Sequence, residues 1–542
     1  MIAILALVAL ISAFLIASVL NRTSADVSNE REDRSMSALR KAKAALIAYA
    51  ANEQWQAYKA QTTNQPGGLP CPDINDSGSS PGVCSGPASC LGVANRVGRL
   101  PWATIGSEDL RDASGEHLWY AVSSNFYKNA ANIINSDTPG LLTVTGAAPA
   151  SSVVAVVFAP GEAISGQDRL TSHNDLAAYL EGCAAVANDY TFNSIAMPSA
   201  TANDRLLVIT QAELMAAVEP VVAARIERDV KPLLGEYFDV WGRYPFAVPF
   251  VSPPSAQSAY VGASPQTSGL LPVTNTPFTW TATVTQIGNF PGPPFTNESI
   301  VSSSSCSFSS PTMTCTVNYS APLGGNDNNA RPVIKVEVSL SPDVNNAFAD
   351  QVPNPTPGGD KPFMMYKKDG SEADFGGPPW GYWSPSGPPP ATVLTGSVIT
   401  YTGWLHDAGD MNKQATITFP LPNVAYLPRL TNPSTAARNI AWFLSNQWYR
   451  QTYYAVSPAL VPSGGGDCVA VSKCLTVKNL PGPNDKQAIL VFAGRALDGQ
   501  AHPTGNLADY LEGENSTPAD SIFEHRAGPS PTINDRVVVV AP

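Results

Sequence analysis

Three oxygen-bearing side chains lie close together in the segment Cys71–Gly78. Asp73, Asn75 and Asp76 offer carboxylate and amide oxygens, which are the ligands that Ca²⁺ prefers. The bidentate glutamate of an EF-hand does not follow at the expected distance. The alternative is an Asx-rich turn, in which the same side chains bind their own backbone. The segment therefore predicts either a calcium site or a turn, and calcium is the one cofactor that this pattern suggests.

A second group of charged residues, which includes a histidine, surrounds Ser114 and Gly115. An acidic residue paired with a histidine can transfer protons in general acid–base catalysis. The favoured alternative is a surface loop held by ion pairs. The members of this group are Asp109, Arg111, Asp112, Glu116 and His117.

Acidic residues also recur at matching places in two distant parts of the chain. An active site would not be expected twice, so the repetition favours a structural role. We interpret each recurring Asp-Arg pair as part of an arginine–carboxylate brace at the final strand of its copy. The recurring residues are Glu181 and Glu512, and Asp204-Arg205 and Asp535-Arg536.

Three aromatic side chains, Trp380, Tyr382 and Trp383, lie in a loop rich in glycine and proline. If exposed, they could stack on sugars or hold a partner protein. The alternative is packing in a core or at its rim. The sequence contains no G-x-S-x-G, H-E-x-x-H, Walker or Rossmann pattern, so it does not predict an enzyme.

The 8 cysteines predict disulfides and an oxidising compartment, such as the bacterial periplasm or cell surface. Reduced, buried thiols are the alternative. Zinc is disfavoured because C-x-x-C spacing is absent and the chain has only 5 histidines. Three pairs are close in sequence, which leaves two cysteines for longer connections: Cys84/Cys90, Cys306/Cys315 and Cys468/Cys474, with Cys71 and Cys183 remaining.

Four sequence blocks occur twice, in the same order and at nearly constant spacing. WYAVSSNF returns as YYAVSPAL, VVFAPG as LVFAGR, DLAAYLEG as NLADYLEG, and NDRLLVI as NDRVVVV. This alignment pairs Phe158 with Phe492. Such self-similarity indicates a duplicated module.

Each copy combines a helix with short β-branched runs, which is typical of an α+β unit. The first helix has apolar residues at helical spacing over Met36–Ala50. The second begins at Thr210 and Glu213, which have capping-box spacing, and Pro220 and Pro232 should bend it. Short alternating runs in a long insertion favour an all-β sandwich.

The first segment, Met1–Leu20, has no charged residue and matches a hydrocarbon core of ~30 Å as a helix. A cleaved signal peptide is the alternative, and it is disfavoured because no lysine or arginine precedes Arg22. The net charge of −12, without a basic stripe, argues against nucleic-acid binding.

The predicted long N-terminal helix, the block GLPCPD (Gly68–Asp73) and the run Gly98–Ser123 resemble bacterial type IV pilin-like proteins, in particular large minor pilins and pseudopilins. The resemblance covers about Met1–Ile209 and part of the second copy. It implies a leader peptidase that processes the chain and a filament built by packing N-terminal helices. If Met1 is the mature start, Leu5 stands where such proteins have glutamate, which favours a terminal, capping position.

The predicted fold class is therefore α+β, with a long N-terminal transmembrane helix, two tandem pilin-like heads of one helix and an antiparallel sheet, and an inserted sandwich-like domain. The predicted segments are a transmembrane helix (1–21), its amphipathic extension (22–62), the first head (63–210), the helix of the second head (211–249), the inserted β-rich domain (250–438) and the strands that complete the second head (439–542).

The predicted function is that of a non-enzymatic minor pilin or pseudopilin, anchored by a single pass in the inner membrane with its bulk in the periplasm or at the cell surface. It would act in assembly, initiation or tip capping of a type IV pilus or a type II secretion pseudopilus. Expected partners are other pilin or pseudopilin subunits, the inner membrane, and a surface ligand or secreted cargo held by the β domain; nucleic acid is not expected. The alternative is a stand-alone cell-surface adhesin or carbohydrate-binding protein with an ordinary membrane anchor, and a secreted enzyme is a weaker third.

Overall fold

The computed structural model describes most of the two heads and the strands of the insertion. The described residues are 2–52, 65–82, 84, 96–172, 175–181, 184–185, 190–251, 253–254, 256–263, 265–274, 279–290, 300–309, 312–319, 331–341, 363–365, 392–395, 398–405, 414–421, 440–461, 464–466, 468, 473–482, 484–530 and 532–542.

Helix α1 (Ile2–Ala51) contains 50 residues and neither glycine nor proline. Towards its C-terminal end, Leu39, Ala42 and Leu46 are completely buried at three- and four-residue spacing. The chain then returns, and the Gly67 N–H donates to the carbonyl of Ala50 at 3.0 Å. The extension predicted to reach residue 62 thus ends as a helix at Ala51, and residues 53–64 lie outside the described part.

The prediction of a transmembrane helix is wrong. Of the helical residues that the structure describes, no stretch is both long enough and apolar enough to cross a membrane. The predicted single-pass location in the inner membrane is corrected with it.

The first head contains a seven-stranded sheet around one long central strand. Its strands are β1 (Val97–Arg99), β2 (Trp119–Val122), β3 (Leu142–Gly146), β4 (Ala150–Ala159), β5 (Ala184–Ala185), β6 (Tyr190–Ser194) and β7 (Arg205–Thr210). The order is β1-β2-β4-β3-β6-β5, β7 also pairs with β4, and only β3 and β6 among these pairs run parallel. Strand β4 is buried from Val153 to Ala159 because both faces of the sheet are covered: Val157 packs in the helix-side core and Phe158 in a second core.

A second long helical segment follows β7 directly. It consists of α2 (Gln211–Arg225), a π-helical turn (Ile226–Val230) and α3 (Lys231–Trp241). Thr210 and Glu213 form the capping box at its start. The π-helical turn comes directly before Pro232, which has no N–H to donate, so the helix widens there and continues.

The insertion follows the first strand of the second head, β8 (Ser268–Leu270). It forms two sheets, in the orders β10-β11-β16 and β13-β15-β12-β9, with β14 also paired to β15. Its own core includes Val317, Val336 and Tyr401. Its strands are β9 (Thr279–Phe290), β10 (Val301–Ser309), β11 (Thr312–Tyr319), β12 (Arg331–Ser341), β13 (Phe363–Met365), β14 (Thr392–Thr395), β15 (Val398–Leu405) and β16 (Gln414–Pro420).

The second head is completed after the insertion. Its sheet has the order β21-β19-β17-β8, and β18 and β20 form a separate parallel pair. The elements are α4 (Ala441–Ser445), β17 (Thr452–Val456), β18 (Thr476–Lys478), β19 (Ala488–Phe492), β20 (Ile522–Glu524) and β21 (Arg536–Ala541).

The repeated sequence blocks occupy matching places in the two heads. The series β1-β2-β4-β7 corresponds to β8-β17-β19-β21, and the parallel pair β3/β6 corresponds to β18/β20. One detail of the sequence alignment is wrong by a residue. Trp119 lies opposite Phe158, whereas the equivalent Tyr453 lies opposite Val491, so Phe158 matches Val491 and not Phe492.

The predicted fold class, α+β, is wrong. About 31% of the residues lie in strands and 26% in helices, and the strands are distributed over five sheets, so the described chain is mostly β. The insertion shifts the balance, because its β-branched, alternating runs add eight strands and no helix among the residues described there.

Candidate functional site

The carboxylate of Asp73, predicted as a calcium ligand, binds its own loop. The N–H of Asn75 donates to its Oδ1 at 3.0 Å and the N–H of Gly78 donates to its Oδ2 at 2.6 Å. Gly78 has a φ of 73°, and a Cβ there would collide with the Trp102 ring. This is the Asx turn, the alternative to a calcium site in this segment. Among the described residues, no group of three or more His, Cys, Asp or Glu is arranged to hold a metal ion.

The structure joins this loop to the second charged group. His117 Nδ1 lies 2.6 Å from Asp76 Oδ1, and His117 Nε2 lies 3.2 Å from Asp109 Oδ1. Arg99 contacts Asp76 at 3.3 Å and Arg111 contacts Asp109 at 2.8 Å. Because both ring nitrogens face carboxylates, the histidine ties two loops together and is poorly placed to take a proton from a substrate.

The other two members of the charged group have separate roles. Asp112 Oδ1 accepts the N–H groups of Ser114 and Glu116, and its Oδ2 accepts the N–H of Gly161 at 2.8 Å. Burial raises the pKa of Asp112, although these backbone hydrogen bonds oppose the shift. Glu116 lies 3.2 Å from Arg169. The group is therefore a set of loop contacts.

The recurring acidic residues form the same contacts in both heads, and we call them the repeated carboxyl pairs: Glu181 with Asp204, and Glu512 with Asp535. The Glu181 N–H donates to Asp204 Oδ2 at 2.6 Å, and the Glu512 N–H donates to Asp535 Oδ2 at 2.8 Å. Each aspartate N–H donates back to its glutamate Oε2 at 3.3 Å. The pairs fix the start of the final strand of each head.

The arginine–carboxylate brace predicted at the final strand involves Arg205 in the first head, and its carboxylate partner comes from outside the Asp204-Arg205 dipeptide. Arg205 Nε lies 2.9 Å from Glu32 Oε1 and 3.1 Å from Glu32 Oε2, so its carboxylate partner lies on helix α1. Along a strand, adjacent side chains point to opposite faces, which separates the two members of an Asp-Arg dipeptide.

Sequence reasoning missed the contacts between the heads. His502 Nδ1 lies 2.6 Å from Asp137 Oδ1, its Nε2 lies 2.7 Å from the carbonyl of Asp509, and its ring stacks on Tyr510. The Gln451 side chain donates to Asp137 Oδ2 at 2.7 Å. Asp137 is hundreds of residues away from His502 and Gln451, so no local spacing could have indicated these contacts. Only the duplication suggested that two heads exist and could share a surface.

Glu219 of α2 makes a second contact between the heads. It is 4% exposed, and it accepts from Ser136 Oγ at 3.0 Å, from the Arg495 N–H at 2.7 Å and from Arg495 Nη1 at 2.6 Å. Burial raises the pKa of Glu219, while Arg495 and Ser136 act in the opposite direction. A buried acid with these partners is structural.

The disulfides are present, with one change of partner. Cys306–Cys315 and Cys468–Cys474 pair as predicted from their short spacing. Cys84 bonds to Cys71 across a Cα–Cα distance of 5.2 Å, so the predicted Cys84/Cys90 pair is wrong. Cys90 and Cys183 lie outside the described residues, as do the predicted binding aromatics Trp380, Tyr382 and Trp383.

The first part of α1 is an exposed apolar surface, which we define as residues 4–16. Ile4 is 67% exposed, Leu10 69% and Phe14 75%. Soluble monomers rarely expose a contiguous apolar patch of this kind, and such patches mark interaction surfaces. This surface is the strongest functional candidate on the described chain.

No known protein family, characterised protein or solved structure matches the chain. The resemblance to type IV pilin-like proteins therefore stays a prediction.

Proposed function

We propose that the chain is a non-enzymatic subunit of a bacterial filament of the type IV pilin or type II secretion pseudopilin kind, joined to the filament through the exposed apolar surface of α1. The observation that carries the proposal is the contrast within one helix. Residues 4–16 are exposed and apolar, while Leu39, Ala42 and Leu46 are buried in the head. The head thus holds the helix firmly at one end and presents the other end to a partner.

The distribution of side chains around the helix favours several partners. Large apolar residues occupy more than half of the circumference at ~100° per residue. The remaining face carries Ala6, Ala9, Ala13 and Ala17, and small residues allow helix backbones to approach closely. A single flat partner would leave part of this surface in water, whereas a bundle of helices would cover all of it.

The size of the domains attached to α1 supports a low-copy position at a filament tip. Each α1 carries two heads and an inserted β domain, which would crowd neighbours along a closely packed shaft. At a tip, the inserted domain would be free to contact a surface ligand or a secreted cargo.

The test is a charge placed in the apolar surface. Leu7→Asp combined with Ile11→Asp puts two carboxylates where α1 would pack, because these side chains are 59% and 51% exposed. We expect the native protein to co-purify with sheared filaments from its host and the double variant to be lost from them. The melting temperature of the head should not change, since neither side chain is buried.

The control is Ser28→Asp, which adds a charge at an exposed position of the same helix outside the apolar surface. It should co-purify like the native protein. Absence of the native protein from filaments, together with binding to polysaccharide, would favour the adhesin instead.

A further inference from the structure

Each of the repeated carboxyl pairs contains one oxygen that accepts no hydrogen bond. In the first head, Glu181 Oε1 accepts from Gln167 Nε2 at 2.6 Å, and its Oε2 accepts from the Asn203 N–H at 3.0 Å and the Asp204 N–H. Asp204 Oδ2 accepts from the Glu181 N–H. Asp204 Oδ1 is buried and has no donor.

The second head repeats this arrangement with one addition, because Asn515 Nδ2 also donates to Asp535 Oδ2 at 3.2 Å. Glu512 Oε1 accepts from Gln500 Nε2 at 2.9 Å, and its Oε2 accepts from the Asn534 N–H at 3.0 Å and the Asp535 N–H. Asp535 Oδ2 accepts from the Glu512 N–H, and Asp535 Oδ1 is buried without a donor. The same atom is thus left over in two independent copies.

Two ionised carboxylates cannot remain in contact at such a place without a large cost. Asp204 is 6% exposed and Asp535 is 5% exposed, and reciprocal N–H hydrogen bonds hold each aspartate beside its glutamate. In sites of this kind the pair keeps one proton, because the second negative charge is strongly disfavoured. The glutamate oxygens already accept N–H groups, so the free Asp Oδ1 is the oxygen left to carry that proton.

We propose that each head holds one proton between its buried aspartate and glutamate, on Asp204 Oδ1 and on Asp535 Oδ1, and that this proton locks the final strand of each head in place. Protonation removes one of the two negative charges from each buried pair, so the aspartate and the glutamate no longer repel each other. In the first head, the lock ties β7 to the turn that contains Glu181; in the second, it ties β21 to the turn that contains Glu512.

The charges around the pairs agree with this placement. Burial, and then the negative charge of Glu181, raise the pKa of Asp204 to about 9, although Arg169 and the Glu181 N–H oppose the shift. Burial and Glu512 likewise raise the pKa of Asp535, and the Tyr453 hydroxyl is a further titratable group facing it. A raised pKa means that this stability is complete below the unfolded value of about 3.9 and is lost as the pH rises through the folded value.

Infrared spectroscopy of the full chain tests the proton directly. At pH 7 we expect a carboxylic-acid C=O band that weakens as the pH is raised through 9. The band should be lost, apart from contributions of other buried acids, in Asp204→Asn combined with Asp535→Asn. Absence of any difference between the native protein and this double variant would overturn the proposal.

Thermal unfolding provides an independent readout. An asparagine mimics the protonated aspartate, so the melting temperature of the double variant should fall less between pH 5 and pH 9 than that of the native protein. Asp498→Asn is the matched control at an exposed site and should follow the native protein. If the double variant does not fold, Asp204→Asn and Asp535→Asn are measured singly, and each should lose part of the carboxylic-acid band of the native protein.

A cation could replace the proton, and one measurement separates the two. If added Ca²⁺ raises the native melting temperature and abolishes the carboxylic-acid band, the site holds a metal and the proposal is wrong. If Ca²⁺ changes neither, the proton remains the occupant.

Discussion

Glu219 illustrates how a single side chain joins the two heads. Its carboxylate lies on α2, the helix that begins where the first head ends, and it contacts Ser136 of the first head and Arg495 of the second. A buried charge pair adds little net stability compared with an apolar pair, but removing one partner leaves the other charge buried and uncompensated.

We therefore expect Glu219→Ala to lower the free energy of unfolding by about 3 kcal/mol, because Arg495 loses its partner. Urea denaturation of the full chain measures the effect. Glu227→Ala, on the exposed side of the adjoining π-helical turn and 3.5 Å from Lys231, is the matched control and should cost roughly 0.5 kcal/mol or less. Equal effects of the two variants would show that Glu219 does not hold the junction.

At the scale of elements, helix α1 has two halves with different environments. Leu46 is 0% exposed against the sheet of the first head, whereas Leu10 is 69% exposed. Replacing leucine by alanine should therefore lower the stability of the head at Leu46 and only the association with partners at Leu10.

Leu46→Ala should destabilise the first head by about 3 kcal/mol, since it leaves a cavity between helix and sheet. Leu10→Ala should leave the melting temperature of the isolated chain unchanged and weaken only its association with partners. Thermal unfolding and sedimentation of the two variants, compared at equal concentration, check both statements. A loss of head stability in Leu10→Ala would mean that residues 4–16 are covered within the chain itself.

Much of the element order could be predicted from local patterns. The capping box at Thr210 and Glu213, the buried run of β4 and the repeated blocks each depend on residues close in sequence. The one-residue error at Phe492 arose because β19 is apolar on both faces, so its pattern does not fix the register.

The tertiary contacts of the site could not be predicted in the same way. Asp76 and His117 meet only because two loops of the first head fold against each other, and Cys84 bonds to Cys71, 13 residues earlier in the chain. The partner of Arg205 is Glu32 on a helix far earlier in the chain. Spacing along one element carries no information about such pairs. The fold class differs from the prediction because the strands of the insertion outweigh the helices of the two heads.

At the scale of the whole molecule, the two heads share one continuous core. That core includes Leu46 of α1, Val218 of α2 and Val491 of β19, whereas the inserted domain has a core of its own. The heads should therefore unfold together and the insertion separately.

Differential scanning calorimetry of the full chain should show one transition for the two heads and a second for the inserted domain. Asp137→Ala, which removes a carboxylate that contacts His502 and Gln451 at the junction, should lower the temperature of the first transition only. As a control, Asp498→Ala changes an exposed carboxylate of the second head and should shift neither. Two separate head transitions in the native protein would contradict a shared core.

The position of the insertion also governs the order in which the chain can fold during synthesis. Strand β8 pairs with β17, and β17 is synthesised only after every described strand of the inserted domain. The described strands of the first head are all synthesised by then. Leu270 and the α2 side chains that pack against the second sheet remain uncovered until that sheet forms. Early folding of the insertion would bring β8 and β17 close together. It would thereby shorten the time during which these apolar side chains are exposed to water.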